Sequence, residues 1–117
     1  MQLNELSDNE LNYISAYSDL WVKIKKKNYK NSLFVTKNQI FLLSKISINK
    51  ILELIQQDSI NYIIVASKDN KEQNNIEYYQ DLINLQIAVE FMQLQSGLKT
   101  FNIILSEDRP VGMFIFL

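Results

Sequence analysis

The longest uninterrupted rhythm of apolar residues runs from Asn75 to Ser96, NIEYYQDLINLQIAVEFMQLQS, which holds no Gly or Pro to break a helix. With each residue turned about 100° and Asp81 at the origin, Tyr78, Leu82, Leu85, Val89 and Met92 fall between about 20° and 100°. Ile76, Ile83, Ile87, Phe91 and Leu94 fall between about 200° and 280°. Gln86, Glu90 and Gln93 fill one gap, and Glu77, Asp81, Asn84 and Gln95 fill the other. The spacing predicts a long central helix over 75–96 with two apolar stripes. Such a helix needs cover on two sides: a sheet on one, a helix or a partner chain on the other. Gly97 stands where a left-handed C′ residue belongs, with Leu98 placed for the contact that accompanies it.

A second helical rhythm precedes it. Tyr13, Ile14, Tyr17, Leu20, Trp21 and Ile24 recur at helical spacing and predict an N-terminal helix over 8–27. Ser7 is its expected N-cap, Glu10 completes a capping box, and Leu6 and Leu11 form a staple. Lys25, Lys26 and Lys27 suit the negative end of its dipole. With one apolar face, this helix is a candidate to cover the central one.

The rest reads as shorter elements. Ser32–Val35 and Ile40–Leu43 flank Thr36-Lys37-Asn38-Gln39 and predict a β-hairpin. Ile48, Ile51, Leu52 and Ile55 predict a short amphipathic helix over 47–57. Ile60–Ala66 is a near-continuous apolar strand of the buried type, followed by a polar loop, Ser67–Asn74. Phe101–Leu105 and Val111–Leu117 are predicted strands, joined by a turn over Ser106–Pro110. The order α-β-β-α-β-α-β-β predicts an α/β or α+β fold. A mixed sheet of about five strands is packed by the central and N-terminal helices. That sheet is expected to include 60–66, 101–105 and 111–117, and the last strand is expected to be paired or covered rather than bare.

Composition narrows the class. At 117 residues and 47% hydrophobic, the chain suits one globular domain, 1–117, with a single core. Ile (16), Asn (13) and Lys (11) are abundant while Ala occurs 3 times, a bias toward A/T-rich codons that points to an A/T-rich bacterium or its mobile elements. Cys is absent, which excludes disulfides and thiolate chemistry. The acidic N-terminus lacks the apolar core of a secretory signal, and no apolar run approaches the ~20 residues that span a bilayer. A cytoplasmic protein that does not enter the membrane is expected.

The net charge of −1 conceals segregation. Residues 1–22 carry four acids and no base, residues 23–50 eight lysines and no acid, and residues 51–117 four bases and nine acids. Lys23, Lys25, Lys26, Lys27 and Lys30 lie beside Trp21 and Tyr29. They read either as a contact for a polyanion or acidic protein, with the aromatics as stacking platforms, or as a solvated helix end with Trp21 in the core. No Arg stands among them for bidentate contacts.

Catalytic equipment is sparse. The chain has no His, which removes the usual general base, the common triads and the commonest zinc ligand. The 67–74 loop, at the end of a strand where α/β folds place ligands, holds Asp69, Lys71 and Glu72 but no Gly to cradle a phosphate. Asp58, Asp69 and Lys71 echo the acid…acid-x-Lys order of metal-dependent nucleases, but two of them lie beyond the strand, and a solvated loop is the expected reading. No metal or cofactor is expected. Of the pair that opens the central helix, Tyr78 lies on an apolar arc and is assigned to the core. Tyr79, at about 160° on the wheel, is assigned to an interface.

Two short resemblances arise. Val89–Ser106, VEFMQLQSGLKTFNIILS, resembles the last helix and strand of barstar-type ribonuclease inhibitors, but this chain continues into a further strand. Ile48–Leu117 is similar in outline to the middle of nitroreductase-like flavoproteins, whose paired-arginine flavin motif is missing here. Neither assigns a family. The expected function is a small non-enzymatic protein that binds another protein: a bacterial immunity protein or an inhibitor of a toxin or other effector. Lys23, Lys25, Lys26, Lys27, Tyr29, Lys30, Asp69, Glu72 and Tyr79 are its expected contact residues, and a homodimer remains open. The alternatives are a nucleic-acid-binding regulator using 23–30 and a degenerate enzyme-like subunit using 67–74.

Overall fold

A computed structural model describes residues 11–117. The protein is a mixed α+β fold in which both faces of a five-stranded sheet are covered. Three short strands, β1 (Ile14–Tyr17), β2 (Val22–Ile24) and β3 (Lys27–Tyr29), form an antiparallel sheet of their own. The main sheet contains β4 (Leu33–Thr36), β5 (Ile40–Leu42), β6 (Tyr62–Ser67), β7 (Ala88–Gln93) and β8 (Gly112–Phe116), in the order β5-β4-β8-β6-β7. β6 runs parallel to both β7 and β8, while β4 is antiparallel to β5 and β8. The helices are α1 (Ile48–Gln57), α2 (Gln80–Asn84) and α3 (Leu94–Ser106).

The main sheet is apolar on both faces because its inner strands are apolar at nearly every position, with the polar Thr36 and Ser67 only at strand ends. On β6, Ile64 and Ala66 face one core while Ile63 and Val65 face the other. Leu33 and Val35 oppose Phe34 on β4, and Met113 and Ile115 oppose Phe114 on β8. One face is covered by α3, through Leu94, Leu98, Phe101 and Leu105, together with Ile14, Val22 and Ile24 of the small sheet. The opposite face is covered by α1, through Ile51, Leu54 and Ile55, and by Tyr79, Leu82 and Ile87. The expected hairpin over 32–43, the helix over 47–57 capped by Ser47, and the strands at 60–66 and 111–117 are all present. The last strand pairs on both sides.

Both long helices of the sequence reading are replaced. The expected start at Leu6–Glu10, with Ser7 as cap, lies outside the described residues, and the rest of 8–27 forms strands. Ile14 is buried, Ser15 and Tyr17 are exposed, and Val22 and Ile24 are buried on either side of Lys23, a period of two. Leu20, expected inside, is 75% exposed in the β1–β2 turn. Lys25 and Lys26 take φ of 51° and 70°, the primed two-residue turn that fits the twist of a hairpin. Asn102 ties this sheet to α3. Its Nδ2 donates to the Ile14 carbonyl and its Oδ1 accepts from the Ile14 amide, both at 2.9 Å.

The central helix over 75–96 breaks into three. A segment of 3₁₀ turns over Lys68–Tyr79 leads into α2, which ends where Gln86 adopts φ 65°, and β7 follows. Two apolar stripes on opposite sides of a helical wheel are also the projection of a strand with apolar residues on both faces. In β7, Val89 and Phe91 pack on one core and Met92 on the other. Parallel pairing with β6 satisfies a full edge of backbone groups that a free-standing helix would not cover.

Gly97 does not end a helix. It lies inside α3, and the predicted strand over 101–105 is the second half of that helix. An ideal Cβ at position 97 would stand 2.5 Å from the Ala66 Cβ, so glycine is there to let helix and sheet approach.

Candidate functional site

A concavity lies at the carboxyl ends of the parallel strands, and the segment after β6 builds it. Ser67 ends β6, and its Oγ accepts the Glu72 amide at 3.0 Å. Asp69 and Asn70 have φ of 56° and 52°, a left-handed pair that reverses the chain. Asp and Asn are the residues that tolerate this region best after glycine. The Asp69 amide donates to Oε1 of Gln93, at the end of neighbouring β7, at 2.9 Å. The segment is thus tied to the ends of two strands before it crosses the sheet.

Its far end turns Tyr79 inward. The ring is fully buried and meets Phe91 and Phe114 edge-on, each at 5.3 Å between centroids. Its hydroxyl donates to Oε1 of Glu72 at 3.0 Å, while Nδ2 of Asn75 donates to Oε2 of the same carboxylate at 3.1 Å. Burial, and after it the Glu72 acceptor and its charge, raise the Tyr79 pKa far above the usual phenol value. The phenol therefore stays protonated and keeps donating to Glu72.

Between this segment and the sheet lies an open cleft of about 560 Å³. Leu43, Phe114 and Phe116 form its apolar side, and Glu72, Ile76 and Tyr78 form the other. The Phe114 and Phe116 rings are nearly parallel. Tyr78 is 55% and Ile76 47% exposed, so two large apolar side chains meet solvent together beside the cleft. A smaller depression of about 250 Å³ shares Glu72 and Phe116 and is bounded by Leu20, Lys68 and Lys71.

The sequence-derived contact residues separate into two groups. Glu72 lines the cleft and Tyr79 bonds to it from the core, but the two tyrosines exchange the places assigned to them: Tyr79 is core and Tyr78 is at the surface. The helical angle that distinguished them does not apply to 3₁₀ turns broken at Asn75. Asp69 is exposed and outside the cleft. Lys25, Lys26, Lys27 and Lys30 are exposed and Lys23 half-buried on the small sheet. Lys27 Nζ lies 5.2 Å from the centre of the half-buried Tyr29 ring. The β1–β2 turn of that sheet reaches the carboxyl edge, where Asp19 and Lys68 approach to 3.8 Å. The Lys25-Lys26 turn is at the other end of β2, so the lysines do not join the cleft. Leu43, Asn75, Ile76, Tyr78 and Phe116 were not identified from sequence. The only local sign was the alternation Phe114-Ile115-Phe116, which sets both rings on one face.

Among the described residues no group of three Asp or Glu side chains is placed to hold a metal ion, and no helix is long and apolar enough to cross a membrane.

A covered five-stranded mixed sheet with an aromatic cleft at its carboxyl edge defines an α+β module. Its architecture recurs in solved structures. A Bordetella parapertussis protein superposes with a TM-score of 0.68 at 17% identity, covering 91% of this chain and 95% of that one. A Bordetella pertussis protein described as a Mth938-like domain gives 0.67 at 15% identity, covering 92% and 86%. A protein described as an outer membrane protein from Bartonella henselae gives 0.64 at 16% identity, covering 91% and 97%. At these identities the likeness establishes the fold alone. Residues 14–116 match the family described as "Protein of unknown function (DUF498/DUF598)", and the chain belongs to that family. No curated protein sequence matches it.

Proposed function

We propose that this protein works by binding another protein through the cleft at the carboxyl edge of its sheet. The observation that carries the reading is the exposed pair Ile76 and Tyr78 beside Phe116 and Leu43, an aromatic-rich surface of the composition that anchors protein interfaces. The chain has no His and no Cys, which favours recognition over catalysis. Within that class we favour a cytoplasmic bacterial inhibitor or immunity protein that neutralises an effector by direct contact, because segregated charge speeds and selects such encounters. A photo-crosslinking residue at position 78, compared with one at the exposed Ile103 of α3, tests it in the native host. One stoichiometric protein adduct from position 78 and none from position 103 is expected. Adducts from neither position, together with turnover of a small molecule by the purified protein, would refute it.

One observation favours a second reading. Lys25 and Lys26 occupy left-handed backbone that costs about 1–2 kcal/mol per non-glycine residue, and so present charge at a hairpin tip. A nucleic-acid-binding surface there should give affinity that falls steeply between two salt concentrations, and absence of salt-dependent binding to DNA and RNA rejects it.

A further inference from the structure

Three features of the cleft identify what it is built to hold, and the argument rests on the protein-binding reading above. The first is the state of Glu72. Each carboxylate oxygen already accepts one hydrogen bond, from the Tyr79 hydroxyl and from the Asn75 amide, which fixes the plane of the group. A carboxylate oxygen has room for a second donor, so each oxygen can still accept one more hydrogen bond. The second feature is charge. Glu72 and Glu77 both line the cleft while the cations Lys68 and Lys71 border the adjoining depression instead, so the charge of the cleft itself favours a cation. The third is shape. Apart from Asn74 and Asn75, the rest of the lining is aromatic and aliphatic: Tyr78, Phe114, Phe116, Leu43 and Ile76.

We infer that the cleft receives an arginine side chain presented by the partner protein. Two parallel N–H donors of a guanidinium match the two free acceptor sites of a plane-fixed carboxylate. The flat cation stacks on aromatic faces, and its three-carbon stem lies along apolar surface. Lysine supplies a point charge and fills neither the fork nor the stacking role. The Tyr79 hydroxyl, buried and held protonated, acts as the positioning group for Glu72 rather than as a contact.

The test is a titration of the ¹⁵N-labelled protein with N-acetyl-arginine amide, N-acetyl-lysine amide and the neutral isostere N-acetyl-citrulline amide, followed by NMR. Arginine amide should shift the amides of Glu72, Asn75, Ile76 and Tyr78 with a Kd on the order of millimolar, as suits a single side chain. Lysine amide should bind several-fold and citrulline amide at least about tenfold more weakly, the size expected when a charged bond is lost. Glu72→Gln should weaken arginine binding about tenfold, and Tyr78→Ala, a change at an exposed ring, should weaken it without disturbing the fold. Equal binding of citrulline and arginine, shifts confined to residues outside the cleft, or no shifts at about 100 mM arginine amide, well above that Kd, would each overturn the inference. The protein-binding reading is separated by the crosslink at position 78. If it forms and is lost in Ile76→Asp while arginine amide does not bind, only the arginine assignment falls. If no crosslink forms, the broader reading falls as well.

Discussion

Gly97→Ala should destabilise this protein, although helix propensity alone predicts the opposite. Gly97 lies within α3, where alanine is intrinsically better by about 1 kcal/mol. Against that stands the sheet. The new methyl would sit 2.5 Å from the Ala66 Cβ, 3.3 Å from Ile64 Cγ2 and 3.4 Å from the Ala66 Cα. Carbon atoms in contact prefer about 3.5–4.0 Å, so α3 must lift from β6 by roughly 1 Å. The Ala66 methyl cannot rotate away, because it is fixed to the backbone of a strand paired on both sides. Overpacking of this kind costs about 1–3 kcal/mol or more, and here it loosens Leu94, Leu98 and Phe101 as well. After the propensity gain we expect a net loss of about 1–2 kcal/mol. Urea unfolding should show the midpoint lowered by roughly 1 M with an unchanged slope. Ala66→Gly removes the opposing methyl. In a double-mutant cycle it should recover at least about 1 kcal/mol of the Gly97→Ala loss. An alanine variant as stable as the parent, or a cycle with no coupling, would refute the close-approach argument.

Tyr79→Phe removes a buried donor to a carboxylate and should cost about 1–2 kcal/mol in chemical denaturation, with arginine-amide affinity falling in parallel because Glu72 loses its restraint. The raised Tyr79 pKa sets a sign for alkaline pH. Its contribution is fully present below the unfolded phenol value of about 10 and is lost as pH rises beyond it, since the unfolded chain gives up the proton first. Thermal midpoints should therefore fall above that pH, and less steeply in Tyr79→Phe. Tyr62, raised first by burial and then by Glu90, adds to the slope in both proteins. Asn102→Ala cuts both bonds to Ile14 and should cost about 1–3 kcal/mol. Hydrogen exchange should then quicken across β1–β3 before it does in β6 and β8.

What could be read from the chain alone were elements whose local pattern has one interpretation. Ser47 before Ile48, Ile51 and Ile55 is a cap followed by one apolar stripe, and it became α1. Ile60–Ala66, apolar but for Asn61, and Val111–Leu117 have the pattern of strands buried on both faces. They are the two inner parallel strands that carry the cleft at their carboxyl ends. The mixed five-stranded class and the covered C-terminal strand followed from them. The position of Glu72 at that edge was legible too, because it follows the end of the 60–66 strand within a few residues.

Tertiary contacts decided the rest, because the local signal in those segments was degenerate. Within Tyr13–Ile24 and Ile87–Leu94 the apolar positions fit a strand as well as a helical wheel. The choice was made by open hydrogen-bonding edges elsewhere: β6 offers β7 a full ladder, and α3 offers the small sheet its Asn102 clamp. Left-handed turns at Lys25-Lys26, Asp69-Asn70 and Gln86, none of them at glycine, left no mark in composition. Gly97 was visible as a glycine, but its use as a contact with Ala66 depends on a neighbour 31 positions away in the chain. For the same reason the cleft could not be foreseen. Its residues come from the β5 end, the 3₁₀ segment and the β8 end, and only the packing of Tyr79 between Phe91 and Phe114 turns Tyr78 and Ile76 outward beside Phe116.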